Sequence, residues 1–418
     1  MRKALSILII IVMISSLLTI FGCKKSDDVS FVLAKDSEDG YTTVYKPSNR
    51  DLVILQLTDI HLEKWLYGNE SIWNSYGICG NNDSTLNMID EMLTSINPDV
   101  VVITGDALRS WSSDNLPIYE SLAVIFERHE VLWMPIFGNH EFEYSFMNYQ
   151  HTLMELATEL MKYPHCLMSI PDYEGGVGDY FVNVKDKDDN IIYSLCALDC
   201  VFDESLDYGG IAEGWSYTKT DNQLEWYERH INNISALQYG EGSGEVVPSM
   251  IFTHTPVPEV ITGWNEAFDN GIPNEKYYYG DLLTGASTFI KHLGDDMLFQ
   301  KVIELGSTKA IFFGHHHEND FSIMYQGVRL TAGQMSSNNL DYRISSTLSG
   351  VLYTEFDFTE LFTYGDNRGG TQINITSSEL FTIEPKYARD VCENYDSWKT
   401  NYDEVFEVLD EAGINAVK

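Results

Sequence analysis

The feature that most constrains this chain is a series of short polar patches placed where apolar runs end. In chain order the patches are Asp59-Ile60-His61, Gly105-Asp106, Gly138-Asn139-His140-Glu141, His254 and Gly314-His315-His316-His317. Asp, Asn and His are side chains that bind divalent metals in proteins. A chain that ends several strands in such residues is predicted to gather them into one metal site.

The apolar runs alternate with segments of helical periodicity. Residues 51–57, 100–103 and 131–137 are nearly continuous apolar runs, which predicts buried parallel strands. Residues 86–96 and 118–126, which lie between these runs, each place apolar side chains on one helical face. The pattern predicts an α/β fold whose polar patches meet at the carboxyl edge of a sheet.

The second half of the chain is predicted to be less regular. Hairpins are expected over 180–198 and 321–331, strands over 246–252, 310–313 and 351–358, and helices over 223–230, 297–305 and 402–409. Residues 264–295 are predicted to form a long loop or small cap near the mouth of the site, with a surface insertion of no role as the alternative. Residues 336–418 are expected to complete the second sheet and to cover it with a terminal helix.

A pair of divalent ions needs oxygen ligands to balance charge and imidazoles to set geometry. In an extended segment, Asp59 and His61 would point to the same side because side chains alternate with period two. The same rule pairs His315 with His317 and turns His316 away. Gly105 and Gly138 allow tight turns near the ions.

The series resembles the calcineurin-like metallophosphoesterase superfamily, which includes the purple acid phosphatases. The pattern of that family is Asp-x-His, Gly-Asp, Gly-Asn-His-Asp/Glu, His and Gly-His-x-His, and each element is present in this order within residues 50–335. The segments FTHTPVPE and GHHHENDF are similar to those of small purple-acid-phosphatase-like proteins. The resemblance implies a four-layer α/β/β/α sandwich over residues 50–335, with a binuclear metal site at the carboxyl ends of its strands.

The resemblance also implies a role for each site residue. Asp59, His61 and His317 would hold one divalent ion, Asn139, His254 and His315 the other, and Asp106 both. His140 would donate a proton to the leaving alkoxide or stabilise the phosphoryl oxygens, and Glu141 would orient His140. A hydroxide held by the ions would attack phosphorus. The ions would be manganese, iron or zinc. From the residues alone, His140 cannot be told from a ligand.

Two positions depart from the pattern of the purple acid phosphatases. Arg109 stands where they carry a tyrosine ligand, so neither a tyrosinate band nor a strict iron requirement is expected. Arg109 is either a contact for the substrate phosphate or an ordinary surface residue. Glu141 replaces the Asp of many members, which leaves its pairing with His140 open.

The N-terminus is expected to be a lipoprotein signal peptide over residues 1–22. Arg2 and Lys3 precede an apolar run, and the run ends at Ile20-Phe21-Gly22-Cys23, which resembles a bacterial lipobox with Cys23 as the lipidated residue. An uncleaved transmembrane anchor is the alternative. Either interpretation predicts an exported chain tethered to the cell membrane through residues 23–49.

Composition narrows the partners that this chain can have. The chain has 418 residues, with 63 acidic against 26 basic side chains and a formal net charge of −37. Such a surface repels nucleic acid, so no nucleic-acid partner is expected. The resemblance implies a small phosphoester as the substrate, and no protein partner is inferred. The cysteines other than Cys23 number five and form no evident disulfide framework; Cys196 and Cys200 either pair or lie in the core.

The function predicted from the sequence is hydrolysis of a phosphoester at a pair of divalent ions, with a phosphomonoester as the first choice of substrate. A phosphodiesterase of the same fold is one alternative. A non-catalytic metal-binding surface lipoprotein is the other, but the presence of every ligand and of His140 argues against a decayed site.

Overall fold

The structure, a computed structural model, describes residues 40–62, 82–108, 114–142, 151–173, 176–199, 221–283, 297–338, 356–357, 367–398 and 416–417. Several predicted features lie outside these residues, namely Cys23, Cys200, Arg109, the helix over 402–409 and residues 284–295 of the expected cap. Within the described part of the chain, no helix is both long enough and apolar enough to span a bilayer.

The first sheet has five strands in the order β16-β15-β2-β3-β4. Its parallel strands are β2 (Leu52–Leu57), β3 (Val100–Thr104) and β4 (Leu132–Ile136). The antiparallel strands β15 (Gly369–Ile375) and β16 (Phe381–Tyr387) continue it beyond β2. Residues near the end of the chain therefore complete the sheet that carries the first polar patches, and the expectation that they complete the second sheet is wrong, because β15 pairs with β2.

The second sheet has eight strands in the order β1-β5-β6-β7-β11-β13-β12-β10. They are β1 (Thr42–Tyr45), β5 (Tyr180–Lys185), β6 (Ile191–Leu198), β7 (Ser249–Thr253), β10 (Tyr277–Tyr279), β11 (Thr308–Phe313), β12 (Ser322–Tyr325) and β13 (Val328–Ala332). Strands β6, β7, β11 and β13 run parallel. Two short pairs lie apart from both sheets: β8 (Phe268–Asp269) with β9 (Ile272–Pro273), and β14 (Phe356–Asp357) with β17 (Ala416–Val417).

The helices of the described residues connect these strands. They are α1 (Asn82–Ile96), α2 (Leu116–Arg128), α3 (Asn139–Phe142), α4 (Leu153–Leu160), α5 (Asp221–Tyr239), α6 (Glu259–Glu266), α7 (Leu298–Leu305), α8 (Ala388–Val391) and α9 (Tyr395–Trp398). The helix predicted over 223–230 extends to Tyr239, because Ile231 and Ile234 continue its buried face.

Side chains along the strands of the second sheet point alternately to its two faces, and each face packs against a separate apolar core. Phe252 of β7 and Phe312 of β11 face the first sheet and stack with ring centroids 4.9 Å apart. Their neighbours Ile251 and Ile311 point to the opposite face, where α5 and α7 cover them. With α1 and α2 packed on the outer face of the first sheet, the layers are helix, sheet, sheet and helix. The predicted four-layer fold is confirmed.

The segment that begins at Trp264 is more ordered than a loop. Its described residues comprise the end of α6, the β8–β9 pair and β10, and β10 forms the edge of the second sheet. Trp264, Phe268 and Tyr277 pack on one another with ring centroids 4.7–6.2 Å apart. These aromatic residues are partly buried and pack against the second apolar core, which the sequence pattern did not reveal.

Candidate metal centre

The carboxyl ends of β2, β3, β4, β7 and β11 meet at one place between the two sheets. Three groups of side chains there have potential ligand atoms within 4.8 Å of one another. The groups are Asp59, His61 and His317; His61, Asp106 and His140; and Asp106, His254 and His315. His61 and Asp106 each belong to two of the groups, so the three groups form one continuous cluster.

The first group is centred on His61. Its Nε2 atom lies 2.9 Å from Nε2 of His317, and Oδ1 of Asp59 lies 3.7 Å from His61 Nε2 and 3.4 Å from His317 Nε2. All three side chains are largely buried. A carboxylate and two imidazoles therefore converge on one point.

The other end of the cluster is centred on His254. Its Nε2 atom lies 3.1 Å from Oδ2 of Asp106, 3.1 Å from Oδ1 of Asn139 and 3.3 Å from Nδ1 of His315. Asn139 Oδ1 also lies 3.0 Å from His315 Nδ1. The four residues that the resemblance assigns to one ion thus lie within direct reach of one another.

The protonation state of His254 indicates whether these ligand atoms suit a metal cation. Its Nδ1 atom lies 2.8 Å from the carbonyl oxygen of Thr104, which can only accept, so Nδ1 carries the proton. In the neutral ring the lone pair of Nε2 then faces the carboxylate oxygen of Asp106. The lone pairs of the nitrogen and of the carboxylate oxygen would repel each other at this distance, whereas a divalent cation would bind both. A histidine that binds a metal also commonly donates its other ring N–H to a carbonyl, as His254 does here. The donor set fits a metal.

The backbone at the ligands is strained. Asp59, His61, Asp106 and His315 have φ angles of 51°, 49°, 51° and 71°, a region that residues with side chains seldom occupy. The extended backbone predicted for Asp59 and His61, and for His315 and His317, is therefore wrong. The side chains of Asp59 and His61 meet because the chain turns through left-handed conformations after β2, whereas His315 and His317 belong to different ligand groups. Strain of this kind persists where surrounding structure holds it, and it concentrates at functional sites.

Two glycines let the loops after β3 and β4 touch. Gly105 has a φ of 87°, and a Cβ atom there would lie 2.7 Å from the backbone N and Cα of Gly138. A Cβ atom on Gly138 would overlap the carboxylate of Asp106. Both glycines therefore allow a close approach, as predicted. The groups that approach them are the backbone of the other loop and the carboxylate of Asp106.

His140 lies at the side of the cluster. Its Nε2 atom is 3.6 Å from Oδ2 of Asp106, its side chain is 15% exposed, and its backbone N–H donates to Oδ1 of Asp106 at 3.0 Å. Because His140 itself falls in one of the three ligand groups, geometry alone does not separate a ligand from a proton donor here.

Glu141 does not orient His140. This fully buried carboxylate accepts hydrogen bonds from the backbone N–H groups of Asp106, Ala107 and Gly138, and from the hydroxyl of Tyr119. With both oxygens engaged, Glu141 fastens the loop after β3 to the loop after β4. The expectation failed because the sequence pattern gives the spacing of Glu141 from His140 but not the direction of its side chain.

Burial and charge set the protonation states of the site. Burial lowers the pKa of His61 to about 4, and it lowers that of His315 as well. Burial raises the pKa of Asp106, but the nearby histidines His140 and His254 outweigh it and the net pKa is lowered. Neutral imidazoles beside ionised carboxylates are the states in which these groups bind metal.

Glu141 differs from the other carboxylates. Burial and the charge of Asp106 raise the pKa of Glu141 to about 7, while its backbone donors oppose the rise. Its four partners all donate, so its geometry matches the ionised form.

Other predicted residues are placed as follows. His316 belongs to none of the three groups and contacts the ring of His315, with centroids 4.8 Å apart. Arg109 and Cys23 lie outside the described residues. Four other histidines pair with carboxylates away from the site; the pairs are His129–Asp90, His151–Asp114, His165–Glu127 and His230–Asp172.

Tyr119 and Asp320 are important neighbours of the site that the sequence did not reveal. Tyr119 lies on the apolar face of α2, where nothing distinguishes it from a core aromatic residue. Asp320 follows the last histidine cluster, and its buried carboxylate accepts from three segments that are distant in the chain. Both act through contacts that only the fold creates.

Residues 52–319 match the family model described as calcineurin-like phosphoesterase. The chain is 24% identical to "Probable inactive purple acid phosphatase 29" of Arabidopsis thaliana, over 68% of this chain and 72% of that protein. It is 23% identical to phosphatase DCR2 of Saccharomyces cerevisiae, over 70% of this chain and 48% of that protein.

Among solved structures, the chain is similar to a purple acid phosphatase from yellow lupin (Lupinus luteus) seeds. The two are 12% identical, with a TM-score of 0.41, over 84% of this chain and 54% of the other. A similarity this low adds nothing to the assignment, which rests on the family match. That match extends from β2 to the residues just after the last histidine cluster, and so spans the candidate metal centre. The chain belongs to the calcineurin-like phosphoesterase family, whose members are hydrolases acting on phosphoester bonds.

Proposed function

We propose that this protein is a metal-dependent phosphomonoesterase. The observation that carries the proposal is the convergence of seven potential ligands on one cluster, in which Nε2 of His254 lies 3.1 Å from the carboxylate of Asp106. The seven are Asp59, His61, Asp106, Asn139, His254, His315 and His317. Three relatives from Arabidopsis thaliana are named probable inactive purple acid phosphatases, yet here the ligand set is whole and His140 lies beside it. This arrangement supports a working site.

The side chains divide into two sets around Asp106. Asp59, His61 and His317 would hold one ion, Asn139, His254 and His315 the other, and Asp106 both. When bound, a pair of divalent ions supplies Lewis acidity toward the phosphoryl oxygens and lowers the pKa of water. Manganese, iron and zinc all suit this mixture of carboxylate, amide and imidazole ligands.

His140 is the proposed proton donor to the leaving alkoxide. Its side chain is partly exposed and lies 3.6 Å from Asp106, so it would lie beside the ions without being enclosed by the other ligands. An alcohol leaves more readily when its oxygen is protonated, and general acid catalysis contributes about 10²–10⁴-fold.

A phosphodiesterase on the same scaffold is the second candidate, since monoester and diester hydrolysis use the same ions and differ in the surrounding cleft. Initial rates on an aryl phosphate monoester and its matching diester, after reloading with manganese, zinc or iron, separate the two. The proposal expects metal-dependent cleavage with the monoester preferred. A preference for the diester would favour the second candidate, and two bound ions with no cleavage of either ester would favour a metal-binding protein.

We also propose that the chain is held at the outer face of the cell membrane by a lipid on Cys23. The support is the lipobox-like Ile20-Phe21-Gly22-Cys23 after an apolar run. Intact-mass measurement of the membrane-extracted protein tests this proposal. Cleavage after Gly22 with a diacylglycerol adduct is expected, and an unprocessed N-terminus would contradict it.

A further inference from the structure

Glu141 is a buried carboxylate surrounded only by hydrogen-bond donors. Its Oε2 atom accepts from the N–H groups of Asp106 at 3.0 Å and Gly138 at 2.6 Å. Its Oε1 atom accepts from the N–H of Ala107 at 2.8 Å and from the Tyr119 hydroxyl at 3.1 Å. Burying a charge is costly unless it is well hydrogen-bonded, so this position is specific for a carboxylate.

These contacts fix Asp106 from two directions. Glu141 accepts a hydrogen bond from the backbone N–H of Asp106. The backbone N–H of His140 donates to the Oδ1 atom of Asp106 at 3.0 Å. Asp106 also has a left-handed backbone, with a φ of 51°, which needs external support. The atom left to face the histidines is Oδ2, which lies 3.1 Å from His254 Nε2.

Tyr119 ties the same carboxylate to α2. The residue is fully buried, and its ring meets that of Phe137 edge-on with centroids 6.0 Å apart. The packed ring holds the hydroxyl in a fixed place, from which it donates to Glu141. One helix and two loops are thereby joined through a single side chain.

We infer that Glu141 and Tyr119 are positioning residues for the metal centre, which set where Asp106 presents its carboxylate to both ligand groups. This inference rests on the proposed metal centre but not on catalysis. Neither residue contacts the reacting atoms. Their effect reaches the ions through the backbone of Asp106.

Two variants and one control test the inference. Glu141→Gln replaces one acceptor oxygen by an NH2 group that faces donors, and Tyr119→Phe removes only the hydroxyl. Tyr180→Phe is the control, because Tyr180 is also buried and its hydroxyl donates to a carbonyl, that of Pro135, at 2.8 Å. The control therefore removes a comparable bond away from the ligands.

The readouts are manganese affinity by titration of the metal-free protein, and the electron paramagnetic resonance signal of the manganese-loaded protein. Loss of support to a ligand typically weakens metal binding about 10–100-fold. That loss is expected for Glu141→Gln, with a smaller loss in Tyr119→Phe and none in Tyr180→Phe. The variants should also show more of the six-line signal of isolated manganese than the wild type.

Equal manganese affinities in Tyr119→Phe and Tyr180→Phe would overturn the role of Tyr119. Wild-type affinity in a folded Glu141→Gln protein would overturn the whole inference. Should Glu141→Gln fail to fold, Tyr119→Phe alone decides. If the wild type binds two ions but cleaves no ester, the proposed activity fails and the positioning role stands; if it binds none, both fail.

Discussion

The two sides of the metal centre are held in place by different means. On one side, the loops at residues 105–107 and 138–141 are joined by Glu141, through hydrogen bonds to three backbone N–H groups. On the other side, the loop at residues 314–320 is held by Asp59, which accepts from the N–H of His315, and by Asp320. We call these the Glu141 side and the Asp320 side.

Asp320 collects contacts from distant parts of the chain. Its carboxylate accepts from the N–H of Asp281 at 3.0 Å, from the side-chain amide of Asn367 at 3.1 Å and from the hydroxyl of Tyr387 at 3.1 Å. The neighbouring Asn319 accepts from the N–H of Leu283 at 2.9 Å. The Asp320 side thus depends on the segment after α6 and on the C-terminal strands.

The two sides also differ in how they lie relative to the range that matches the family model. All residues of the Glu141 side lie within the matched range 52–319, whereas Asn367 and Tyr387 lie beyond it. Changes on the Glu141 side should therefore act on metal binding and chemistry. Changes to Asp320 and to the residues that hydrogen-bond it should lower stability while leaving the ions in place.

The largest effect is expected for Asp106→Asn. The substitution removes the one carboxylate that belongs to two ligand groups, so both ions should bind more weakly and turnover should fall on the order of 10³-fold. Metal content by mass spectrometry and initial rates provide the measurement. Loss of a single ion with the other fully retained would contradict the bridging role.

His140→Ala should separate chemistry from metal binding on the same side. Two ions should remain, while turnover falls about 10²-fold or more, as for a lost general acid. The decrease should shrink for an aryl ester with a good leaving group, which needs no proton. Loss of an ion would instead make His140 a ligand, as its place in a ligand group allows.

Gly280→Ala probes the Asp320 side. Gly280 has a φ of 80°, and a Cβ atom there would overlap the carbonyl oxygen of Asp320. The free energy of unfolding should fall by about 2–4 kcal/mol, from backbone strain and overlap together. Gly271→Ala is the control, because Gly271 has a φ of 79° with nothing within 4 Å and should cost only about 1 kcal/mol.

Denaturant unfolding measures both glycine variants. Equal costs for Gly280→Ala and Gly271→Ala would show that contact with Asp320 does not matter. Loss of an ion in Gly280→Ala would break the distinction between the two sides.

The smallest effect is expected for Tyr387→Phe. Removing its hydroxyl deletes one hydrogen bond to the buried Asp320, which should lower the free energy of unfolding by about 1 kcal/mol. Tyr45→Phe is the matched control, since Tyr45 donates to the exposed carboxylate of Asp189 at 2.9 Å and should change little. Similar decreases in the free energy of unfolding for the two variants would show that the hydrogen bond from Tyr387 to Asp320 does not stabilise the fold.

Much of the fold was predictable because its strands are continuous apolar runs. Strands β2, β3, β4, β7 and β11 lie where such runs predicted them, each followed by a polar patch. The segment from Trp264 to Tyr279 was not predictable in the same way. Its strands are two or three residues long and are stabilised by aromatic packing across the segment, which leaves no periodicity to detect.

The sequence identified which residues form the site, but not the contacts that hold them in place. The patches identified the residues that come together, yet the extended backbone assumed for Asp59 and His61 is absent, because the turn after β2 is left-handed. The direction of Glu141 depends on backbone N–H groups from another loop. Such contacts join residues far apart in the chain and leave no mark on local sequence.

The measurement that tests the account most directly is anomalous diffraction from crystals of the manganese-loaded protein. The account predicts two anomalous peaks with the Asp106 carboxylate between them. One peak should be bound by Asp59, His61 and His317, and the other by Asn139, His254 and His315. A single peak, or two peaks that do not share Asp106, would contradict it.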